Sequence, residues 1–119
     1  MPRIFNFYVI NPDRLADEDE GAVERHGARW AQIETKAFSF GDACDEIDRL
    51  LGERVIGGQI GEFSLEQAAA LYEGLAAASP EMLARIEDDD AVDTAYWALR
   101  DTAQEAVRRR YAMVIVMDG

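Results

Sequence analysis

Residues 111–117 read YAMVIVM, which is the longest apolar run of the chain. Successive side chains of a strand point to opposite faces of a sheet, so a run without polar residues leaves no face for water. Such a strand is typically buried on both faces. The run therefore predicts a strand inside a sheet, and it is far too short to span a membrane.

A second strand is predicted at residues 3–10, which read RIFNFYVI. Apolar groups fall on both alternating faces here as well, so this segment also belongs in the interior of a sheet. We expect the two strands to lie side by side at its centre. Asn11 then serves as a helix N-cap, and Pro12 occupies the first helical position.

Most of the sequence between these strands has the spacing of helices. Apolar residues recur on one face of Asp42–Leu51, and Gly52 follows where a left-handed residue is favoured. Ser64 and Gln67 form a capping box that opens the next helix.

A further helix begins after Ser79-Pro80, and Asp90 is predicted to cap a long helix that ends near Arg110. Two interpretations of residues 21–40 are kept, a strand around Trp30 and a loop. Residues 53–58 are predicted to be either a short strand or a turn. The sequence thus predicts one α+β domain over residues 1–119. It contains a small mixed sheet with the N-terminal and C-terminal strands, packed with four to five helices.

The chain resembles the YfbM-like family of bacterial proteins at four places. These are residues 4–15 (IFNFYVINPDRL), residues 43–52 (ACDEIDRLLG), residues 64–67 (SLEQ), and the long helix that leads into the last strand. The family tends to have a Trp early in the second segment and often a His later, where this chain has Cys44 and Asp48. The resemblance implies an α+β fold and supplies no mechanism. A function that rests on that helix face in relatives is in doubt here.

Residues that usually carry catalysis are scarce. The chain has one histidine, His26, one cysteine, Cys44, and one lysine, Lys36. No spacing joins His26 to a serine or cysteine nucleophile. Cys44 falls on the apolar face of its helix, beside acids that raise a thiol pKa. We therefore assign no catalytic residues and no cofactor.

Charge points to a different kind of activity. The chain has 24 acidic and 12 basic residues, a formal net charge of −12. It should be repelled by nucleic acids and anionic membranes, and it can attract a basic protein. A single cysteine and the absence of a signal-peptide pattern favour the cytoplasm.

The acids concentrate in residues 62–93, which hold nine acidic residues and one basic residue. The leading hypothesis is a non-enzymatic binding protein that docks a basic protein partner there, for example an immunity-type protein or inhibitor acting on a basic toxin. The candidate interface residues are Trp30, Glu66, Glu73, Glu81, Glu87, Asp88, Asp89 and Asp90.

Two other function classes stay open. The acids at 17–20 and at 87–93 are oxygen ligands of the kind that suits calcium or magnesium, so a carboxylate- or metal-dependent hydrolase, or a metal-binding domain, is one alternative. Neither run has the alternating, glycine-containing pattern of an EF-hand, and no metal ligands are assigned. The other alternative is a structural homodimer, because the sequence is compatible with a monomer or a homodimer.

Overall fold

A computed structural model describes residues 3–15, 22–35, 40–52, 56 and 61–118. Its strands are β1 (Arg3–Ile10), β2 (Ala28–Thr35), β3 (Glu62–Phe63) and β4 (Ala112–Asp118). Its helices are α1 (Pro12–Leu15), α2 (Ala22–His26), α3 (Phe40–Leu51), α4 (Leu65–Ala76), α5 (Pro80–Glu87) and α6 (Asp90–Arg109). The predicted α+β class is confirmed.

The strands form one sheet in the order β2-β1-β4-β3. The two apolar runs are its central strands and pair from Ile4↔Asp118 to Ile10↔Ala112, as predicted. The predicted mixed sheet is wrong for the described strands, because all three pairings are antiparallel. A continuous apolar run indicates that both faces of a strand are covered. It does not indicate whether the neighbouring strands run parallel or antiparallel to it.

Different elements cover the two faces of the central strands. The face that turns toward the long helices contributes these side chains to the main core: Phe5, Phe7, Val9, Met113 and Ile115. The opposite face holds a smaller apolar cluster: Ile10, Ala112 and Val114, with Val23 of α2 packed against them. The short helix α2 therefore covers the second face of the sheet near Ile10.

The long helix α6 is the centre of the helical layer. It contacts α3, α4 and α5 as well as β1, β2 and β4. Its buried positions recur at helical spacing: Val92, Ala95, Tyr96, Leu99, Thr102, Ala103, Glu105 and Ala106. The apolar members of this set follow the helical period, and Thr102 and Glu105 are buried polar residues.

The helix ends follow local chemistry. The Ser64 hydroxyl accepts a hydrogen bond from the Gln67 N–H at 3.2 Å, and the Gln67 side chain accepts one from the Ser64 N–H at 2.9 Å. The predicted capping box is confirmed. Gly52 has a φ of +73°, the left-handed conformation that glycine adopts without steric cost.

Two segments differ from or extend the sequence prediction. The helix α3 begins at Phe40 rather than Asp42, since Phe40 is buried and its ring stacks on Phe5 at 4.7 Å between centroids. The strand around Trp30, one of two interpretations of residues 21–40, is confirmed as β2. The expectations for residues 17–20 and for most of 53–58 lie outside the described residues.

Candidate functional site

An exposed set of carboxylates lies on α4, on α5, in the turn that joins α5 to α6 and at the beginning of α6. We call it the acidic face, and all its members are exposed: Glu66, Glu73, Glu81, Glu87, Asp88, Asp89 and Asp90. The opposite side of α4 buries Ala68, Leu71 and Leu75. Burial of one helix side thus directs the acids on the other side to solvent.

Helical spacing aligns two of these acids. Glu66 and Glu73 are seven residues apart on α4, which is close to two turns, so their side chains leave the helix on the same side. Glu81 and Glu87 lie on α5, and α5 packs on α6 and α3. These four carboxylates are therefore presented by packed helices, and Asp88 and Asp89 lie in the turn that joins α5 to α6.

Little positive charge offsets the acidic face. Arg85 is the single base in residues 62–93, and its guanidinium lies 4.0 Å from a Glu81 oxygen. Both side chains are largely exposed, so this pair contributes little stability and leaves six other acids of the face uncompensated by it.

One acid of the face has a structural role. An Asp89 oxygen accepts hydrogen bonds from the N–H groups of Ala91 at 3.0 Å and Val92 at 3.4 Å, which makes Asp89 the N-cap of α6. The prediction that Asp90 caps this helix is wrong by one residue. Both aspartates are good caps, and the choice follows from backbone geometry, because Asp89 is extended (φ −114°, ψ 111°) whereas Asp90 is already helical.

We predict that Asp89→Ala lowers the free energy of unfolding by about 1 kcal/mol, because two N–H groups lose their acceptor. Asp90→Ala, the matched control, removes only a favourable charge at the helix start and should cost no more than roughly 0.5 kcal/mol. Urea denaturation of both variants measures the difference. A larger loss for Asp90→Ala would contradict this assignment of the cap.

Trp30 is not part of the acidic face. It lies on β2 at one edge of the sheet, 43% exposed, with the Arg109 guanidinium 5.5 Å from its ring centroid. Arg109 ends α6 whereas Asp90 begins it, and a helix of this length spans roughly 30 Å. The predicted interface residues therefore fall into two separate groups.

Cys44 is shielded from reaction. Its side chain is 1% exposed, and burial, together with charge repulsion from Asp48 and Asp45, raises the pKa of the thiol to about 12. The thiol is neutral at physiological pH, whereas nucleophilic attack requires the thiolate. The predicted burial of Cys44 is confirmed, and His26 lies exposed at the end of α2.

We predict that the folded protein resists thiol labelling. At pH 8 a disulfide reagent should modify Cys44 at least about 100-fold more slowly than in the urea-unfolded chain, because attack requires both exposure and ionisation. Absorbance of the released thiolate gives both rates. Labelling of the native protein at the unfolded rate would show that the α3 face opens readily.

The described residues do not include a grouping of three or more His, Cys, Asp or Glu side chains that could hold a metal ion. The acids at 87–90 are consecutive around a helix junction, and one of them is engaged in capping. The acidic run at 17–20 lies outside the described residues. In the described part of the chain, no helix is long and apolar enough to cross a membrane.

An ion-pair cluster around the buried Glu105 lies at the end of α6. Glu105 is 7% exposed and accepts hydrogen bonds from Arg109 Nε at 2.6 Å and from Arg108. The hydrogen bond from Arg108 is the main cause that lowers the pKa of this carboxyl, and the bond from Arg109 adds to it. The spacing of three and four residues from Glu105 to Arg108 and Arg109 is typical of ion pairs along a helix, so the pairing could have been predicted from the sequence. Nothing in the sequence pattern indicated that Glu105 is buried.

No protein-family model matches the chain, and no curated protein or solved structure matches it. The resemblance to the YfbM-like family therefore stays a prediction.

Proposed function

We propose that the protein is a non-enzymatic binding protein whose acidic face docks a basic protein partner. The observation that carries this proposal is the set of seven exposed carboxylates on three helices and the turn that joins α5 to α6, with Arg85 as the single base of residues 62–93. Complementary charge accelerates encounter and selects against partners of like charge. An immunity-type or inhibitory protein that covers a basic toxin is one concrete form of the proposal.

The rigidity of the helical layer supports a docking role. The Tyr96 hydroxyl of α6 donates a hydrogen bond to the Leu75 carbonyl of α4 at 2.6 Å, which ties together two helices that carry the acidic face. Carboxylates held on such a frame lose little backbone freedom when a partner binds. This preorganisation favours a specific complex over a diffuse ionic atmosphere.

The chemistry of the described residues gives a non-enzymatic function further support. Catalysis by an acid, base or nucleophile requires convergent groups with suitable ionisation. The one thiol is buried with a raised pKa, and the acids of the acidic face point to solvent from the outside of helices. These features fit a surface that acts by contact.

A charge-matched pair of variants tests the proposal. One variant carries Glu66→Gln, Glu73→Gln and Glu81→Gln on the acidic face. The control carries Asp13→Asn, Glu34→Gln and Asp45→Asn at exposed positions elsewhere. Each changes the formal net charge by +3, from −12 to −9. Any difference in partner affinity between the two variants therefore reflects the position of the removed charges, because the number of removed charges is the same.

A partner is first captured from native lysate with the unaltered protein and then purified, and its affinity is measured by calorimetry at several salt concentrations. We expect a basic partner, a Kd that rises with salt, and a loss of roughly 100-fold in the acidic-face variant against less than about threefold in the control. An acidic partner, a salt-independent Kd, or equal losses in both variants would contradict the proposal. Sedimentation of the protein alone tests the rival homodimer.

A further inference from the structure

A second charged surface lies at the other end of α6. Arg108 and Arg109 form the last turn of this helix, Arg110 follows as its C-cap, and Arg29 lies on β2 beside Trp30. All four arginines are exposed. Each of the four is Arg109 itself or a chain neighbour of Arg109 or Trp30, and together they are a third of the twelve basic residues of a chain whose net charge is −12.

An irregularity in β2 places Trp30 within this region. The strand pairing runs through Phe7↔Ala31 and continues at Tyr8↔Arg29, so Trp30 has no residue opposite it on β1. A bulge of this kind re-aims a side chain away from the regular alternation of the strand. Because β2 is an edge strand of the described sheet, the displaced indole stays 43% exposed.

Buried Glu105 orients the neighbouring guanidinium. It accepts a hydrogen bond from Arg109 Nε at 2.6 Å, and the Arg109 guanidinium carbon lies 5.5 Å from the centre of the Trp30 ring. A charge-assisted hydrogen bond and a cation–π contact therefore fix Arg109 from two sides. Trp and Arg are the residue types that most often dominate binding energy at interfaces, and here they are held in place before any partner arrives.

Two other arginines, Arg110 and Arg29, are chain neighbours of Arg109 and Trp30. Arg110 has a φ of 59° and a ψ of 46°, a left-handed conformation that glycine usually supplies at the end of a helix. Among the described residues, neither Arg110 nor Arg29 has an ion-pair partner. Their charges are therefore available to an anionic group that approaches the exposed edge of Trp30.

We propose that Arg29, Trp30, Arg109 and Arg110 form a second interaction surface, which binds a short acidic peptide segment of a partner protein. Charge complementarity selects carboxylates, and the indole offers an apolar contact beside them. At physiological salt the screening length is about 8 Å, so a short segment senses these local arginines. A second copy of the chain would instead bring a net charge of −12 against −12. This surface is separate from the acidic face and its proposal does not depend on it.

The test uses the full chain with Trp97→Phe, so that Trp30 is its only tryptophan. The probe is the blocked peptide Glu-Glu-Leu-Glu-Glu, and the comparison peptide carries Gln in place of each Glu. In 0.15 M salt we expect a saturable change of Trp30 fluorescence with the acidic peptide and an affinity at least tenfold weaker with the neutral one. Arg110→Gln, which removes no described ion pair, and Arg109→Gln should each weaken binding several-fold.

Arg49→Gln on α3 is the control, because it removes an exposed arginine elsewhere and should leave the affinity unchanged. Circular dichroism verifies that each variant is folded. The proposal would be overturned if millimolar acidic peptide gave no saturable change, if the neutral peptide bound equally well, or if Arg49→Gln reduced affinity as much as Arg110→Gln. Sedimentation showing that the fluorescence change follows self-association would also overturn it and would make a second copy the occupant.

Discussion

Replacement of Phe7 by alanine is expected to lower the free energy of unfolding by about 3–5 kcal/mol. Phe7 has no solvent exposure and lies on the central strand β1, opposite Ala31 on one side and Ile115 on the other. Its ring meets Phe40 of α3 edge to face, with centroids 5.7 Å apart. The substitution removes this contact and opens a cavity where the strands and the helical layer meet.

Urea denaturation at pH 7 measures the loss. The control is Met117→Ala, an apolar strand residue that is 53% exposed and should cost no more than about 1 kcal/mol. Since small domains are commonly stable by roughly 5–15 kcal/mol, the Phe7 variant should be partly unfolded at 37 °C if the protein lies near the lower limit. A loss below about 1 kcal/mol for Phe7→Ala would mean that the site collapses freely and that the core is loosely packed.

The elements that the sequence predicts well are those fixed by local chemistry. The capping box at Ser64 and the left-handed Gly52 depend on residues within one helical turn, and both are present. The central position of β1 and β4 follows from two apolar runs that only a doubly covered strand can accommodate. In contrast, the antiparallel direction of the sheet depends on how distant segments return, and no local pattern encodes it.

The exposed position of acids on α4 could be predicted from the sequence for the same reason. Helical period alone places Glu66 and Glu73 opposite the buried side of α4. The second interaction surface, around Trp30 and Arg109, could not be predicted from the sequence. It requires β2 to lie beside the end of a helix that comes almost 80 positions later in the chain. Trp30 was identified as a candidate for its residue type. The sequence could not show that its neighbours are arginines and not the acids of residues 62–93.

Tyr96 links α6 to α4, and both helices carry acids of the acidic face. Tyr96 is fully buried and its ring packs edge to face on Trp97 at 5.1 Å. Its hydroxyl donates to the Leu75 carbonyl at 2.6 Å and accepts from Arg100 Nη1 at 3.0 Å. The side chain therefore contributes both apolar packing and a polar link between α6 and α4.

A pair of substitutions separates these contributions. Tyr96→Ala is expected to lower the free energy of unfolding by about 3–5 kcal/mol, because it leaves a cavity in the core. Tyr96→Phe keeps the ring and should cost about 1 kcal/mol. That cost stays small because the Leu75 carbonyl also accepts a hydrogen bond from the Ala78 N–H at 3.3 Å and is not left unpaired. Urea denaturation gives both values.

Hydrogen exchange then locates the effect of the lost hydroxyl. In Tyr96→Phe the amides in the last turn of α4 should exchange faster while those of β1 and β4 keep their protection, because the hydroxyl donates to Leu75 of α4 and accepts from Arg100 of α6. Faster exchange in α4 should in turn weaken binding of a basic partner, since the carboxylates of α4 would be less rigidly held. Uniform acceleration across the sheet would instead show that the bond supports the whole fold, and unchanged exchange in α4 would remove Tyr96 as the link that rigidifies the acidic face.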